Sequence, residues 1–323
     1  MTALVAAEGL SRQFGGGLFG RSRPVHAVSD VSLAVGRGEA VGLVGESGSG
    51  KSTVGRLMLG LLKPTAGRVL LDGTDLSGGV QPEQRRRMQL VFQDPFASLD
   101  ARRRIGVQVA DGMAIHRLAD KAGQRARVEA LLTEVGLTAA HADRFPHEFS
   151  GGQRQRIAIA RALAPNPEFL VADEAVSALD VSVQAQILAL FADLRSRLGI
   201  GLLFISHDLK VVRALCDRVA VMYLGRIMEE GPADRVLERP LHPYTRALLS
   251  ASPSLDPARR QVRILLGGDP PSPSAPPSGC VFRTRCPLAI DACATTVPPL
   301  VAAEPGHSVA CIRLDEAQSL GAA

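Results

Sequence analysis

The sequence predicts an α/β fold built on a mostly parallel sheet with helices on both faces, and two observations carry that prediction. Short apolar runs, "AVGLV" (40–44), "MQLVF" (88–92), "FLVAD" (169–173), "GLLFIS" (201–206) and "VAVMYLG" (219–225), alternate with helical patterns across residues 1–232. Strands that are apolar on both faces belong between two helical layers, since a half-solvated strand would alternate. The second observation is the loop "GESGSGKST" (45–53), which lies between the first of those runs and the helical run "TVGRLMLGLL". It fits G-x-x-x-x-G-K-[ST] in the strand, loop, helix setting that this motif requires.

Length and composition set the outer bounds. A chain of 323 residues can bury one sizeable core and carry an appendage. Hydrophobic content of 46% suits a globular protein, and no uninterrupted apolar run approaches the ~18–20 residues of a membrane-spanning helix. The start "MTALVAAEGLSRQF" has no basic residue ahead of its apolar stretch and does not read as a signal peptide, so the expected compartment is the cytosol. Net charge is +5, concentrated in "EQRRRM" and "ARRRI". No aromatic residues interleave with these arginines to stack bases, so they read as a solvated face or one near anionic lipid, and no nucleic-acid partner is expected.

The loop at 45–53 brings its own chemistry. Gly45, Gly48 and Gly50 let the backbone curl so that successive N–H groups of Glu46, Ser47, Ser49 and their neighbours can face phosphate oxygens, and the following helix adds its positive end. Lys51 would reach the β- and γ-phosphates and the Ser52 hydroxyl would coordinate Mg²⁺, with Thr53 completing the loop. The motif alone leaves kinases, GTPases and motor ATPases open. "FLVADE" narrows the choice, because Asp173 and Glu174 stand at a strand's end, one to hold the Mg²⁺ shell and one to polarise an attacking water. An acidic pair after a strand is by itself more often a helix cap; beside the Lys51 loop it reads as catalytic.

At "FSGGQRQRIAIARAL" (149–163) the sequence resembles the ATP-binding cassette family, whose signature is L-S-G-G-Q followed by a helix. Phe149 replaces the usual leucine and leaves Ser150, Gly151, Gly152 and Gln153 intact. The resemblance implies a nucleotide-binding domain with a RecA-like core, a helical subdomain and an antiparallel β subdomain, and ATP and Mg²⁺ as ligands. It also implies that the signature serves the γ-phosphate of nucleotide held by an opposite cassette, so that two cassettes close head-to-tail around two ATP molecules. By the same resemblance Gln93 in "VFQDP" links the Mg²⁺ and water site to a membrane partner, Asp180 in "SALD" lies at the dimer seam, and His207 in "ISHD" is the switch histidine that orients Glu174 and water. Ala175 stands where the family usually has proline, which alters loop stiffness without removing a functional side chain. For the aromatic that stacks on adenine, Phe14 is the choice, with Phe19 and His26 as competitors.

"HPYTRALLSASP" and the cysteine-bearing tail make the resemblance finer: the chain looks like the ATPase subunits of bacterial dipeptide and oligopeptide importers, with nickel importers sharing much of the pattern. This implies a second, related ATPase subunit, two membrane permeases, an extracytoplasmic substrate-binding protein, and a peripheral place at the cytoplasmic face of the inner membrane. The sequence divides into a nucleotide-binding domain (1–232), a helical segment broken at Pro240 and Pro243 (233–266), and a Pro-rich linker with a tail hanging beyond it (267–323). A soluble ABC ATPase of DNA repair or translation is the competing class, though such proteins usually bring tandem cassettes or long coiled coils. A redox-sensing regulatory module is another, argued for by the tail alone.

Cys280, Cys286, Cys293 and Cys311 follow C-x5-C-x6-C-x17-C, unlike the paired C-x-x-C of a zinc ribbon. Disulfides are disfavoured in a reducing cytosol. Arg283 and Arg285 are expected to favour thiolates. The resemblance to peptide-importer ATPases implies a [4Fe-4S] cluster on these four residues, with zinc or unliganded thiols as the alternatives. Cys216, in "ALCDR", reads as a buried small hydrophobe.

Overall fold

The computed structural model describes residues 3–15, 23–94, 98–251 and 264–319. Among these, β3 (Ala40–Val44), β6 (Met88–Val91), β7 (Phe169–Asp173), β8 (Gly201–Ser206) and β9 (Arg218–Tyr223) run parallel in the order β6-β7-β8-β3-β9. Every residue of β3, β7 and β8 is buried, as near-continuous apolar runs between two helical layers require. β9 then turns through Leu224 and Gly225, both at positive φ, into the antiparallel β10 (Arg226–Pro232).

A second, antiparallel sheet has the order β2-β1-β4-β5, from β1 (Ala3–Phe14), β2 (Val25–Gly36), β4 (Ala66–Leu71) and β5 (Thr74–Asp75). Leu4, Leu10, Val31 and Val35 on it share one core with Val54, Leu57 and Met58 of α1 (Lys51–Met58) and with the near face of the main sheet. The other face carries the helical layer, where Val109 of α3 (Ile105–Ile115), Leu131 of α4 (Lys121–Glu134) and Ile157 of α5 (Gly151–Leu163) join a second core. The RecA-like core with helical and antiparallel subdomains is therefore the architecture observed.

The arginine runs are largely spent on ion pairs. Arg86 pairs with Glu83, Arg87 bridges Asp72 and Glu168, and Arg103 pairs with Asp111. α2 (Pro82–Arg87) carries the first of these runs directly into β6.

The C-terminal region departs from the expected hanging tail. β11 (Val301–Glu304) pairs with β12 (His307–Val309), and β12 pairs with β10, so the tail extends the edge of the main sheet. His307 Nε2 lies 2.7 Å from Glu229 Oε1, and both side chains are buried. The same carboxylate accepts from the N–H groups of Leu241 (2.7 Å) and His242 (3.0 Å), which gives a buried charge the several partners it needs. Pro240 ends α7 (Ala233–Glu238) as expected, whereas Pro243 opens α8 (Pro243–Ala251), since a first-turn proline forfeits no helical hydrogen bond. No helix among the described residues is long and apolar enough to cross a membrane.

Candidate active site

The phosphate loop links the end of β3 to α1, and two of its glycines are demanded by close approach. Gly45 has φ 151°, and a Cβ there would meet the Met222 carbonyl oxygen at 2.0 Å. At Gly50, φ 104°, it would meet the Ala27 carbonyl oxygen at 2.1 Å. The loop is thus pressed between β9 and β2. Lys51 is buried inside the curl, its Nζ donating to the carbonyls of Gly45 and Glu46 at 2.8 Å each. Burial holds its pKa below the usual lysine range, against the pull of Glu174, Asp173 and Glu46. An ammonium held below its usual pKa by burial, with neutral carbonyls as acceptors, would gain from an anionic acceptor.

Ser52 Oγ donates to Asp173 Oδ1 at 2.7 Å, tying the first turn of α1 to the end of β7. Burial, the largest influence, pushes the Asp173 pKa up, against that hydroxyl. A hydroxyl and a buried carboxylate side by side form a hard oxygen donor set of the kind Mg²⁺ takes. Glu174 follows at φ 48°, a left-handed conformation held by its N–H donating to the Ile205 carbonyl at 3.0 Å. Its Oε2 accepts from Gln93 Nε2 at 3.0 Å and lies 3.5 Å from His207 Nδ1. The three residues assigned to catalysis are brought together.

Gln93 also lines a groove of about 950 Å³ between α3, α2 and β6. Its walls include exposed Phe92 and Ile115 together with Ser52 and Asp173, so the groove reaches the hydroxyl–carboxylate pair.

The signature motif starts α5. Ser150 is its N-cap, its Oγ accepting from Gln153 N at 3.3 Å while Gln153 Oε1 accepts from Ser150 N at 3.0 Å. Ser150 itself is exposed, and Gly151, Gly152 and Gln153 are half-buried. Phe149 fills the leucine position by burying its ring edge-to-face on His141, centroids 5.2 Å apart. Asp180 is exposed at the N-cap of α6 (Val181–Leu198). Phe14 is 36% exposed, with the Arg12 guanidinium 4.7 Å from its ring centre. Phe19 lies outside the described residues, and His26 pairs with Gln13 in the β1–β2 ladder.

Within the loop, Ser47 and Gly48 face outward and Ser49 is buried. Thr53 is half-buried in the first turn of α1. Glu46 is held from the C-terminal region instead. Its N–H donates to Tyr244 Oη at 3.0 Å, and its carboxylate accepts from Arg285 Nη1 at 2.8 and 3.1 Å. Sequence reasoning missed Tyr244 and Arg285; "HPY" was the only local signal of the first, and the second was assigned to the thiols.

Cys280, Cys286, Cys293 and Cys311 line one small apolar cavity with Phe282 and Leu288. All four are free thiols. The expectation that neighbouring arginines favour thiolates does not hold. Burial pushes Cys280 and Cys311 up and Cys286 to about 11, while Arg285 turns to Glu46 and Arg283 donates to the Ser278 carbonyl. Among the described residues no group of three or more His, Cys, Asp or Glu side chains is arranged to hold a metal ion. Four cysteines around one apolar cavity are the donor type that an iron–sulfur cluster takes. Cys216 is buried, its thiol pushed up to about 12, as a small hydrophobe should be.

Residues 28–177 match the family model of the ABC transporter, and residues 228–293 that of the oligopeptide/dipeptide transporter C-terminal region. The chain is 56% identical, over 97% of its length and 98% of the relative's, to a putative peptide import ATP-binding protein of Brucella ovis. It is 49% identical, over 91% and 92%, to an oligopeptide transport ATP-binding protein of Bacillus subtilis. Among solved structures it is similar to a dimeric ATP-binding cassette in a post-hydrolysis state bound to ADP and Pi, with a TM-score of 0.63 and 29% identity over 71% of this chain and 98% of that one. A further similarity, with a TM-score of 0.65 and 29% identity over 74% and 92%, is to part of an ABC transporter complex from Clostridium perfringens.

Proposed function

The chain belongs to the ABC transporter family, and we propose that it is the ATP-hydrolysing subunit of an importer that takes up di- or oligopeptides through partner membrane permeases. The observation that carries the peptide reading is the match of residues 228–293 to the oligopeptide/dipeptide transporter C-terminal region. Nickel import by the same machinery is the alternative cargo.

In this reading Lys51 and the loop amides bind the phosphates, Ser52 and Asp173 hold Mg²⁺ with Gln93 beside them, and Phe14 stacks on adenine. Mg²⁺ held there would supply positive charge to offset that of the phosphates. Glu174 accepts a proton as water attacks the γ-phosphorus and the bond to the β-bridging oxygen breaks; His207 and Gln93 fix the carboxylate's orientation. Ser150 and the Gly151 and Gly152 amides, at the start of a helix, serve the γ-phosphate of an opposite cassette, with Asp180 at the seam. One chain therefore supplies half of each site. That opposite cassette is a second, related ATPase subunit.

The groove beside Gln93 is the place for a permease helix, because it reaches exposed apolar side chains at one end and the cation donors at the other. The chain works peripherally at the cytoplasmic face of the inner membrane, fed by an extracytoplasmic binding protein. The four tail cysteines hold a structural [4Fe-4S] cluster. The raised thiol pKa values of Cys280, Cys286 and Cys311 are no obstacle, since a coordinating metal would deprotonate its thiol ligands outright.

Reconstitution with co-purifying permeases and the binding protein tests this directly. Peptide, and not Ni²⁺, should stimulate ATPase activity; failure to find any permease partner would defeat the importer reading. Iron analysis and a visible spectrum on anaerobically purified protein test the cluster, and a colourless, iron-free sample with normal transport would sink it.

A further inference from the structure

The C-terminal region touches the nucleotide site at both of its ends. At the phosphate end, Arg285 Nη1 donates to both carboxylate oxygens of Glu46 at 2.8 and 3.1 Å, with side chains only 10% and 25% exposed. Tyr244 Oη accepts from the Glu46 N–H at 3.0 Å. These two groups are fixed in turn by an aromatic cluster: the rings of Tyr223, Tyr244 and Phe282 lie with centroids 4.7 to 5.3 Å apart. The Arg285 guanidinium lies 5.9 Å from the Tyr223 ring centre. At the base end, the Pro273 carbonyl accepts from the His26 N–H at 2.9 Å, beside the rung where Phe14 pairs with Val25.

Residue 46 is the second of the loop, and its backbone carbonyl is one of the two that hold Lys51. Tying its N–H and its side chain outward leaves the backbone of residues 47–53 to curl around the phosphates. A loop already fixed in its binding shape loses less conformational entropy when ligand arrives. We infer that Arg285 and Tyr244 are positioning residues for ATP, which act through Glu46 to hold the phosphate loop in its binding shape. Arg285 immediately precedes Cys286. The turn that brings a thiol to the cavity thus also carries the guanidinium to the loop.

The inference rests on residues 45–53 being the ATP site, which equilibrium binding of a fluorescent ATP analogue to the unaltered full chain checks separately. The test compares Arg285→Gln, Arg285→Lys, Tyr244→Phe, Glu46→Gln and the double variant Arg285→Gln/Glu46→Gln in the assembled transporter. Arg285→Gln should raise KM for ATP about three- to tenfold with kcat within about twofold, as expected for losing one charge-assisted hydrogen bond that preorganises the loop. Arg285→Lys should recover part of the loss, because a single nitrogen makes both contacts. Tyr244→Phe should raise KM by a smaller factor, and the double variant should be no worse than the more severe single one. An unchanged KM in Arg285→Gln, whatever its melting temperature, overturns the inference, as does full additivity in the double variant. Should Arg285→Gln fail to fold, Glu46→Gln and Arg285→Lys carry the same KM-against-kcat comparison.

Discussion

Gln93 Nε2 donates to Glu174 Oε2 at 3.0 Å, so a residue that lines the outer groove is hydrogen-bonded to the carboxylate proposed to act on water. Occupancy of the groove and orientation of the carboxylate are therefore linked through one side chain. Gln93→Ala should leave ATP affinity within about twofold while permease-dependent stimulation of hydrolysis falls roughly tenfold, a coupling of ordinary size between two sites. Steady-state ATPase rates of the assembled transporter, with and without peptide-loaded binding protein, measure this. Undiminished stimulation would exclude the link.

Glu174→Gln keeps the shape of the side chain and removes the proposed proton acceptor. Hydrolysis should drop by about 10² to 10⁴, the range for losing a positioned general base. ATP binding should survive, and the ATP-bound dimer should accumulate on size-exclusion chromatography. Phosphate release within tenfold of the unaltered protein would assign the base elsewhere.

Ser150 has an observed role and a proposed one, which two substitutions separate. Its Oγ caps α5 by accepting from Gln153 N, and in the proposed function the same hydroxyl donates to a γ-phosphate. Ser150→Ala should cost about 1 kcal/mol of stability as a lost N-cap. Ser150→Asp keeps a cap and should melt near the unaltered protein, but its charge opposes phosphate, so ATPase activity should be lost in both. A Ser150→Asp protein that hydrolyses ATP normally would reduce the residue to a cap.

Glu168 receives hydrogen bonds from Arg87 and Arg37, which pull its carboxyl from the ordinary 4.5 down to about 2. Because the folded pKa is depressed, this contribution to stability is fully present above the unfolded value and lost as pH falls through the folded one. Glu168→Gln should therefore lower the melting temperature at pH 7, and the difference should shrink steadily between about pH 4.5 and pH 2. Melting curves across that interval check the sign. A difference that grows on acidification would contradict it.

The nucleotide machinery was legible because its chemistry is local in sequence. Gly45 through Thr53 must be contiguous to make one loop, and Asp173 and Glu174 are adjacent because one strand end presents both. Strand identity followed from burial on both faces, so β3, β7 and β8 were found at their full extent. The tail was misjudged as hanging because edge pairing depends on what lies across the gap. The β10–β12 ladder joins Glu229 to Val309 and Glu230 to Ser308, and nothing near either strand announces the other.

By itself, then, the sequence determined the phosphate loop, the carboxylate pair, the signature helix and the parallel sheet that aligns them. Each is a short-range pattern imposed by backbone geometry or hydrophobic periodicity. Only the tertiary structure decided that Arg285 meets Glu46 across 239 positions, and that four separated thiols share one cavity. Those contacts depend on the docking of β12 and on a buried glutamate with several partners, and long-range packing of that kind leaves no periodic trace in the chain.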